Sequence, residues 1–211
     1  MERLAPHTLI RLSSRAALTA AGALPEWAEA MLKEAPYVIV RRGAQVDRYP
    51  VGLRGYQKSE RFAAFVTADG YSDPVTPQQA LTLLPQLDPV RAQLPAFQKL
   101  VQLQPLLQDF DWGVGGSLQF ELVTGLKMAR PGSDVDVIMN RPAQPLSYAA
   151  ALRLVQQLQV IAGAHADIQV VHGQDGFSLE EYAQQRDRQI MMKTANGPQL
   201  TANPWHFAGE R

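Results

Sequence analysis

The chain has 211 residues, 46% of them apolar and 19% charged, so it is long and hydrophobic enough to bury its own core and falls outside the disordered class. Twenty Lys and Arg balance twenty Asp and Glu, which argues against a protein that coats nucleic acid or an anionic membrane, because both tasks need a large positive field. The absence of cysteine removes disulfides, thiolate catalysis and thiolate metal centres, and fits a reducing, cytoplasmic setting.

Along the chain, Ala16 to Leu24 is apolar and follows Arg11 and Arg15, yet it is too short for a secretion signal and runs straight into Pro25-Glu26-Trp27. It reads as the approach to a helix, and no apolar run of about 18 residues predicts a membrane span. A first helix is expected from Pro25 to Ala35, opened by Pro25 and stopped by Pro36, with Trp27, Ala28, Met31, Leu32 and Ala35 as its apolar stripe. Tyr37 to Val40 is a β-branched strand. Gln45 to Leu53 and Arg61 to Thr67 read as strands around the turn Gly52-Leu53-Arg54-Gly55, with helix an open alternative for Phe62 to Val66. Residues 41–61 concentrate six basic groups (Arg41, Arg42, Arg48, Arg54, Lys58, Arg61) against two acidic ones. Thr76-Pro77 starts a short helix ending near Leu84, and the Pro-spotted, Gln-rich stretch that follows places a domain boundary near residue 90, giving 1–90 and 91–211.

Beyond that boundary, Ala96 to Phe110 is helical with a break at Pro105, and Asp111 to Val114 leads into a Gly-Gly-Ser turn. Ser117 to Leu126 is a helix opening on that turn, and Ser133 to Met139 is a strand. Tyr148 to Ala162 is an amphipathic helix capped by Ser147, with Gly163 just past its end. Asp167 to Val171 is a strand, Ser178-Leu-Glu-Glu181 is a capping box for a helix to about Arg186, and Arg188 to Thr194 is a closing strand. This irregular alternation predicts an α+β protein.

The chemistry is concentrated in Gly115-Gly116-Ser117 and, seventeen residues after Ser117, Asp134-Val135-Asp136. A strand alternates faces, so Asp134 and Asp136 project together while Val135 and Val137 enter the core. Asp167 opens a later strand that can pair alongside. Three convergent carboxylates repel, on the order of 4 kcal/mol per pair at 4 Å and an effective dielectric of 20, and a hard divalent cation resolves that repulsion. Two such ions activate an attacking hydroxyl and neutralise a departing phosphate oxygen. The glycine turn and the first N–H groups of the Ser117 helix, with the Ser117 hydroxyl, supply an anion cradle. The arrangement outlines a phosphate-transfer site.

The order of turn, helix, paired acids and later acid resembles the nucleotidyltransferase superfamily typified by DNA polymerase beta. Within it, Trp112-Gly-Val-Gly-Gly-Ser-Leu-Gln-Phe-Glu-Leu-Val-Thr-Gly-Leu126 and Ser133-Asp-Val-Asp-Val137 resemble the phosphoribosyl-dephospho-CoA transferases of malonate decarboxylase, also called its holo-acyl-carrier-protein synthases. Further matching segments are Val40-Arg41-Arg42, Pro50 to Gly55, Arg61-Phe62-Ala63, Lys193 to Leu200 and Asn203-Pro204-Trp205. Val135 and Val137 stand where Leu is common in such proteins, and Asn140 where a basic residue is expected.

The resemblance implies an N-terminal α/β domain for recognition and a polymerase-beta-like catalytic domain with a mixed sheet flanked by helices. It implies transfer of the phosphoribosyl-dephospho-CoA group from 2'-(5''-triphosphoribosyl)-3'-dephospho-CoA to a serine of the apo acyl-carrier subunit, with release of diphosphate. Asp134, Asp136 and Asp167 would ligate two Mg²⁺ ions, Asp167 also serving as a candidate base, and Gly116 and Ser117 would hold phosphates. Arg54 and Lys193 are secondary phosphate contacts, although the surplus in 41–61 also suits an acidic carrier. Adenylylation of a small molecule or protein, and catalytically silent nucleotide binding, are the alternatives. His7, His165, His172 and His206 have no metal spacing. Glu121 either stabilises its helix or braces the Gly-Gly-Ser loop, and Trp112, Phe120, Tyr148 and Trp205 are read as packing rather than base-stacking residues.

Overall fold

In the computed structural model, which describes residues 3–44, 46–184 and 189–206, the chain divides between Thr76 and Pro77 into two units. The first contains β1 (Leu9–Leu12), β2 (Leu18–Thr19), α1 (Glu26–Glu34), β3 (Tyr37–Val40), β4 (Arg48–Arg54), β5 (Arg61–Thr67) and β6 (Tyr71–Val75). They form an antiparallel sheet in the order β2-β5-β4-β3-β1-β6. One face is apolar because alternate residues turn the same way: Val38 and Val40, Tyr49, Val51 and Leu53, and Ala64 and Val66 share a core with Ala28 of α1. The same alternation decides for strand over helix at Phe62 to Val66.

The stretch 16–24 is corrected. A single 3-10 turn at Arg15–Ala17 delivers Leu18 to the sheet, where it pairs with Val66 and is buried, so this segment is a strand edge before it is an approach to α1. β6 escapes sequence reading because it carries Pro74 and a left-handed Asp73 (φ 47°), both tolerated in an edge strand.

The second unit contains α2 (Pro77–Leu81), α3 (Pro95–Leu107), β7 (Trp112–Val114), α4 (Gly116–Thr124), β8 (Val135–Asn140), α5 (Tyr148–Val160), β9 (Ala166–His172), β10 (Asp175–Ser178), α6 (Leu179–Gln184), β11 (Ile190–Thr194) and β12 (Gly197–Thr201). The sheet order is β12-β11-β10-β9-β8-β7. β8 and β9 are parallel, with α5 as their crossover, and the other pairings are antiparallel. The architecture is α+β.

The unit begins at Pro77 rather than near residue 90 because α2 packs on β7. Gly113 lies so close to the Pro77–Gln78 backbone that a β-carbon there would collide with it. No break occurs at Pro105, which lies inside α3. Pro105 and Val101 are both on the exposed side, so the carbonyl that loses its partner four residues back faces water.

Ser147 caps α5 by accepting the Ala150 N–H at 3.2 Å. Half of the expected capping box on α6 is present. Ser178 Oγ accepts the Glu181 N–H, but the Glu181 carboxylate accepts from the Met191 N–H at 2.9 Å, tying α6 to the last hairpin. The expected helix end at Arg186 and strand start at Arg188 lie outside the described residues. No helix among the described residues is long and apolar enough to cross a membrane.

The C-terminus of α5 is closed from α3. Lys99, 2% exposed, donates its ammonium to the carbonyls of Leu158 and Ile161. These are end carbonyls that the helix itself leaves without a partner. Burial holds the Lys99 pKa below its ordinary 10.5. The folded protein therefore releases this proton before the unfolded chain does, and this group adds stability as pH rises from its depressed value to 10.5. Urea unfolding of the native protein and Lys99→Met, each at about pH 7 and about pH 10, should show a gain in the native protein relative to the variant on going alkaline. A constant difference between the two would refute the assignment.

Candidate functional site

β7 ends at Val114 and the chain turns through Gly115 and Gly116 into α4. The Gly115 N–H donates to the Asp136 carbonyl at 2.7 Å, which pins the turn onto β8. Gly116 adopts φ 63°, and a β-carbon on it would run into the Asp136 carboxylate. Both properties require glycine at this position, and together they let the start of α4 approach Asp136. The nine-residue α4 thus begins beside that carboxylate, with the positive end of its dipole nearest to it.

β8 presents Asp136 outward between the fully buried Val135 and Val137, and Asp134 stands exposed one residue before the strand. The parallel register sets Asp136 directly beside Asp167 of β9. Asp167 is half-buried, and its Oδ1 accepts the Ser178 hydroxyl at 3.1 Å, the same hydroxyl that caps α6. Ser178 thus fixes the Asp167 carboxylate from the neighbouring strand. Ser117 is buried, with its Oγ 3.5 Å from Ser133 Oγ, and Ser133 Oγ accepts the Arg130 N–H at 2.9 Å. The α4 serine therefore touches the segment that delivers Asp134.

Gly116, Ser117, Asp134, Asp136 and Asp167 are brought to one edge of the second unit. Lys193, exposed on β11, pairs with Gly176, whose row runs through Val171 to Asn140, four residues beyond Asp136 and three strands across. Strand geometry puts it about 20 Å from the carboxylates. Arg54 belongs to the first unit, at the end of β4 opposite Arg61. Among the described residues, no group of three or more His, Cys, Asp or Glu side chains is drawn tightly enough together to hold a metal ion. The donor set at Asp134, Asp136 and Asp167 is all oxygen, which suits Mg²⁺, and the missing side chain at Gly116 is what lets the Asp136 carboxylate lie against the start of α4.

Glu121 braces the segment between α4 and β8, and its bonds run to Arg91 and Ala129 rather than to the Gly-Gly-Ser turn. It lies in α4, 3% exposed, and Arg91 grips it side-on, Nε to Oε1 at 2.6 Å and Nη2 to Oε2 at 2.9 Å. Glu121 Oε2 also accepts the Ala129 N–H at 2.7 Å, while Arg91 Nη2 donates to the Ala129 carbonyl at 2.6 Å. Both polar groups of Ala129 are thus engaged, and the segment between α4 and β8 is held at its middle. The Glu121 carboxylate raises the Arg91 pKa still further. Arg91 was missed in the sequence because its partner is 30 residues away, and only a buried acid in an apolar helix hinted that a cation was needed.

The aromatic residues follow the packing expectation. Trp112, Phe120 and Trp205 are buried, Trp205 lying edge-on to Phe177 and Tyr182 at 5.0 and 5.5 Å. Tyr148 stacks on Tyr182 at 4.4 Å and keeps its other side exposed. His165 faces Glu180 at 3.5 Å, and His7 lies 3.3 Å from Arg42.

Comparison with known proteins covers both units. A family model described as the phosphoribosyl-dephospho-CoA transferase MdcG C-terminal domain matches residues 81–204, and the corresponding N-terminal domain model matches 5–77. A phosphoribosyl-dephospho-CoA transferase of Pseudomonas syringae pv. tomato is 34% identical over 187 residues, 87% of this chain and 86% of the relative. Proteins of the same name from Pseudomonas fluorescens and Klebsiella pneumoniae are 33% and 31% identical, each spanning 95% of this chain and 93% and 96% of their own. No solved structure matches.

Truncating one partner of a buried ion pair leaves the other charge unpaired. Glu121→Ala and Arg91→Ala should each lower unfolding stability by about 3–5 kcal/mol, with the double variant well short of the sum. Additive losses in chemical denaturation would show that the two side chains do not act as a pair.

Proposed function

Because the chain belongs to the phosphoribosyl-dephospho-CoA transferase family, we propose that it moves the phosphoribosyl-dephospho-CoA group from a triphosphoribosyl donor onto a serine of the apo acyl-carrier subunit of malonate decarboxylase. The chemistry is nucleotidyl transfer. The serine oxygen forms a bond to the α-phosphorus, the bond from that phosphorus to the β-phosphate oxygen breaks, diphosphate leaves, and the serine proton passes to a base. The observation that carries this reading is the placement of the α4 N-terminus against Asp136 with Asp167 beside it, donors for a polyphosphate next to carboxylates.

The first N–H groups of α4 and the Ser117 hydroxyl bind the departing diphosphate. Gly116 lets the phosphates come within hydrogen-bonding reach of the backbone. Asp167, oriented by Ser178, takes the serine proton. Mg²⁺ held by Asp134, Asp136 and Asp167, once their side chains turn to a common point, would offset charge between carboxylates and phosphates and favour the ionised serine. Lys193 suits the far end of an extended donor. The polymerase-beta-like relationship and a cytoplasmic site of action belong to the same proposal.

Incubation with apo carrier, Mg²⁺ and the triphosphoribosyl donor should add the mass of the prosthetic group to the carrier. Asp136→Asn and Asp167→Asn should lower the rate by about 10²–10³ or more, and Asp136→Asn should also weaken Mg²⁺ binding measured by calorimetry without donor. Loading at the native rate by Asp136→Asn would refute the site, and modification of the carrier with ATP in place of the donor would refute the substrate.

A further inference from the structure

The outward face of the first unit's sheet has a pattern that the transfer chemistry leaves unused. The register aligns Arg11 with Tyr37, and Arg54 with Arg61. Carried two residues beyond Ile39–Gly52, the β3–β4 register sets Tyr37 beside Arg54, so three arginines lie in one cross-strand row. The next row is Leu9, Ile39, Gly52 and Ala63, apolar throughout, buried at Leu9 and exposed at Ala63, followed by Pro50 beside Phe65. On the far side, Arg48 places its guanidinium 4.3 Å over the Phe65 ring. Arg41, whose N–H donates to the Pro50 carbonyl at 2.8 Å, lays its side chain along Gly52, close enough that a β-carbon there would meet Arg41 Cδ at 3.2 Å. An apolar strip is thus flanked by two banks of arginine.

No Asp or Glu occupies an outward position of β1, β3, β4 or β5. Glu60, next to Arg61 in the chain, turns back to accept the Gln57 N–H at 2.8 Å. Arg11, Arg41, Arg48 and Arg61 are exposed and have no carboxylate partner among the described residues. Ala63, Phe65 and Thr67 are exposed as well, so β5 is open to solvent together with Arg48, while Gly52 and Arg54 of β4 are half-buried and Pro50 is buried.

Size and composition select the occupant. Arg48 and Arg54 are six residues apart on one strand, about 20 Å, wider than one phosphorylated group can bridge. The chain as a whole is neutral, and the arginine banks are separated by an apolar floor rather than continuous as along a phosphate backbone. An apolar centre with an arginine rim is the anatomy of a protein interface, and its charge demands an acidic partner. We propose that this face docks the acceptor protein through an acidic surface on that protein, an inference that rests on the reading of the acceptor as a protein serine.

The test separates docking from chemistry. Calorimetric binding of apo carrier to the full chain, without donor, should weaken steeply with added salt. Arg48→Glu/Arg61→Glu should raise the dissociation constant at least tenfold, with Arg48→Lys/Arg61→Lys much closer to the native protein. Ala63→Glu, which places an acid on the apolar floor at an exposed position, should do the same as the double glutamate variant. In the transfer assay these changes should raise KM for the carrier while leaving kcat and donor KM within about twofold. Carrier binding unchanged in both acidic variants, or insensitive to salt, overturns the proposal. A parallel rise in donor KM also overturns it, by assigning the arginines to the small molecule. Salt-sensitive binding that the acidic variants abolish, in a protein that transfers no group, upholds the docking face and refutes the proposed reaction alone.

Discussion

The parallel pairing of β8 with β9 is the constraint on which the candidate site depends. It is the single parallel pairing among the described strands, and its register puts Asp136 and Asp167 side by side. A parallel pair needs a crossover, and α5 provides it; an antiparallel arrangement would have placed other residues opposite Asp136. The cost is milder than the sequence suggests. Asp134 and Asp136 are exposed, so their repulsion is screened to about 1 kcal/mol at 4 Å rather than the several kcal/mol of a drier site. The fold therefore tolerates these carboxylates before any cation arrives, and they need not be gathered in advance.

Around that pair, each neighbouring element is fixed by a different kind of bond. The glycine turn is held by the Gly115 N–H on Asp136, the Asp167 carboxylate by Ser178, and the segment before Asp134 by the Arg91–Glu121 pair through Ala129. The last is the most insulated, since Glu121 is almost wholly out of water and Arg91 mostly so. A backbone anchor, a hydroxyl and a buried ion pair respond differently to salt and pH, so no single change of solution conditions releases the whole site.

What could be read from residues alone was what depends on near neighbours. Pro25 and Pro36 bracket α1, Ser147 caps α5, and the alternation of Asp134, Val135, Asp136 and Val137 sets which side chains face out. The glycines of the turn were legible for the same reason, because backbone freedom is a property of one residue. Strand pairing was not legible: the register of β8 on β9, the position of Arg91 against Glu121, and the row of Arg11, Arg54 and Arg61 all join residues far apart in the chain. Pro105 misled because the rule that proline breaks a helix presumes a dry carbonyl, whereas this one faces solvent. The hairpin arm β12, like β6, was hidden by its proline.

Those prolines have a consequence for how the molecule behaves among its own copies. Each sheet ends on two open edges. In the first unit they are β2, only two residues long, and β6, which carries Pro74; in the second they are β7, three residues long and packed by α2, and β12, which carries Pro198. An edge of two or three residues and an edge interrupted by a residue lacking an N–H each deny an incoming strand the ladder it would need. The same irregularities that obscured these strands in the sequence keep a β-rich chain, crowded at synthesis, from templating its neighbours.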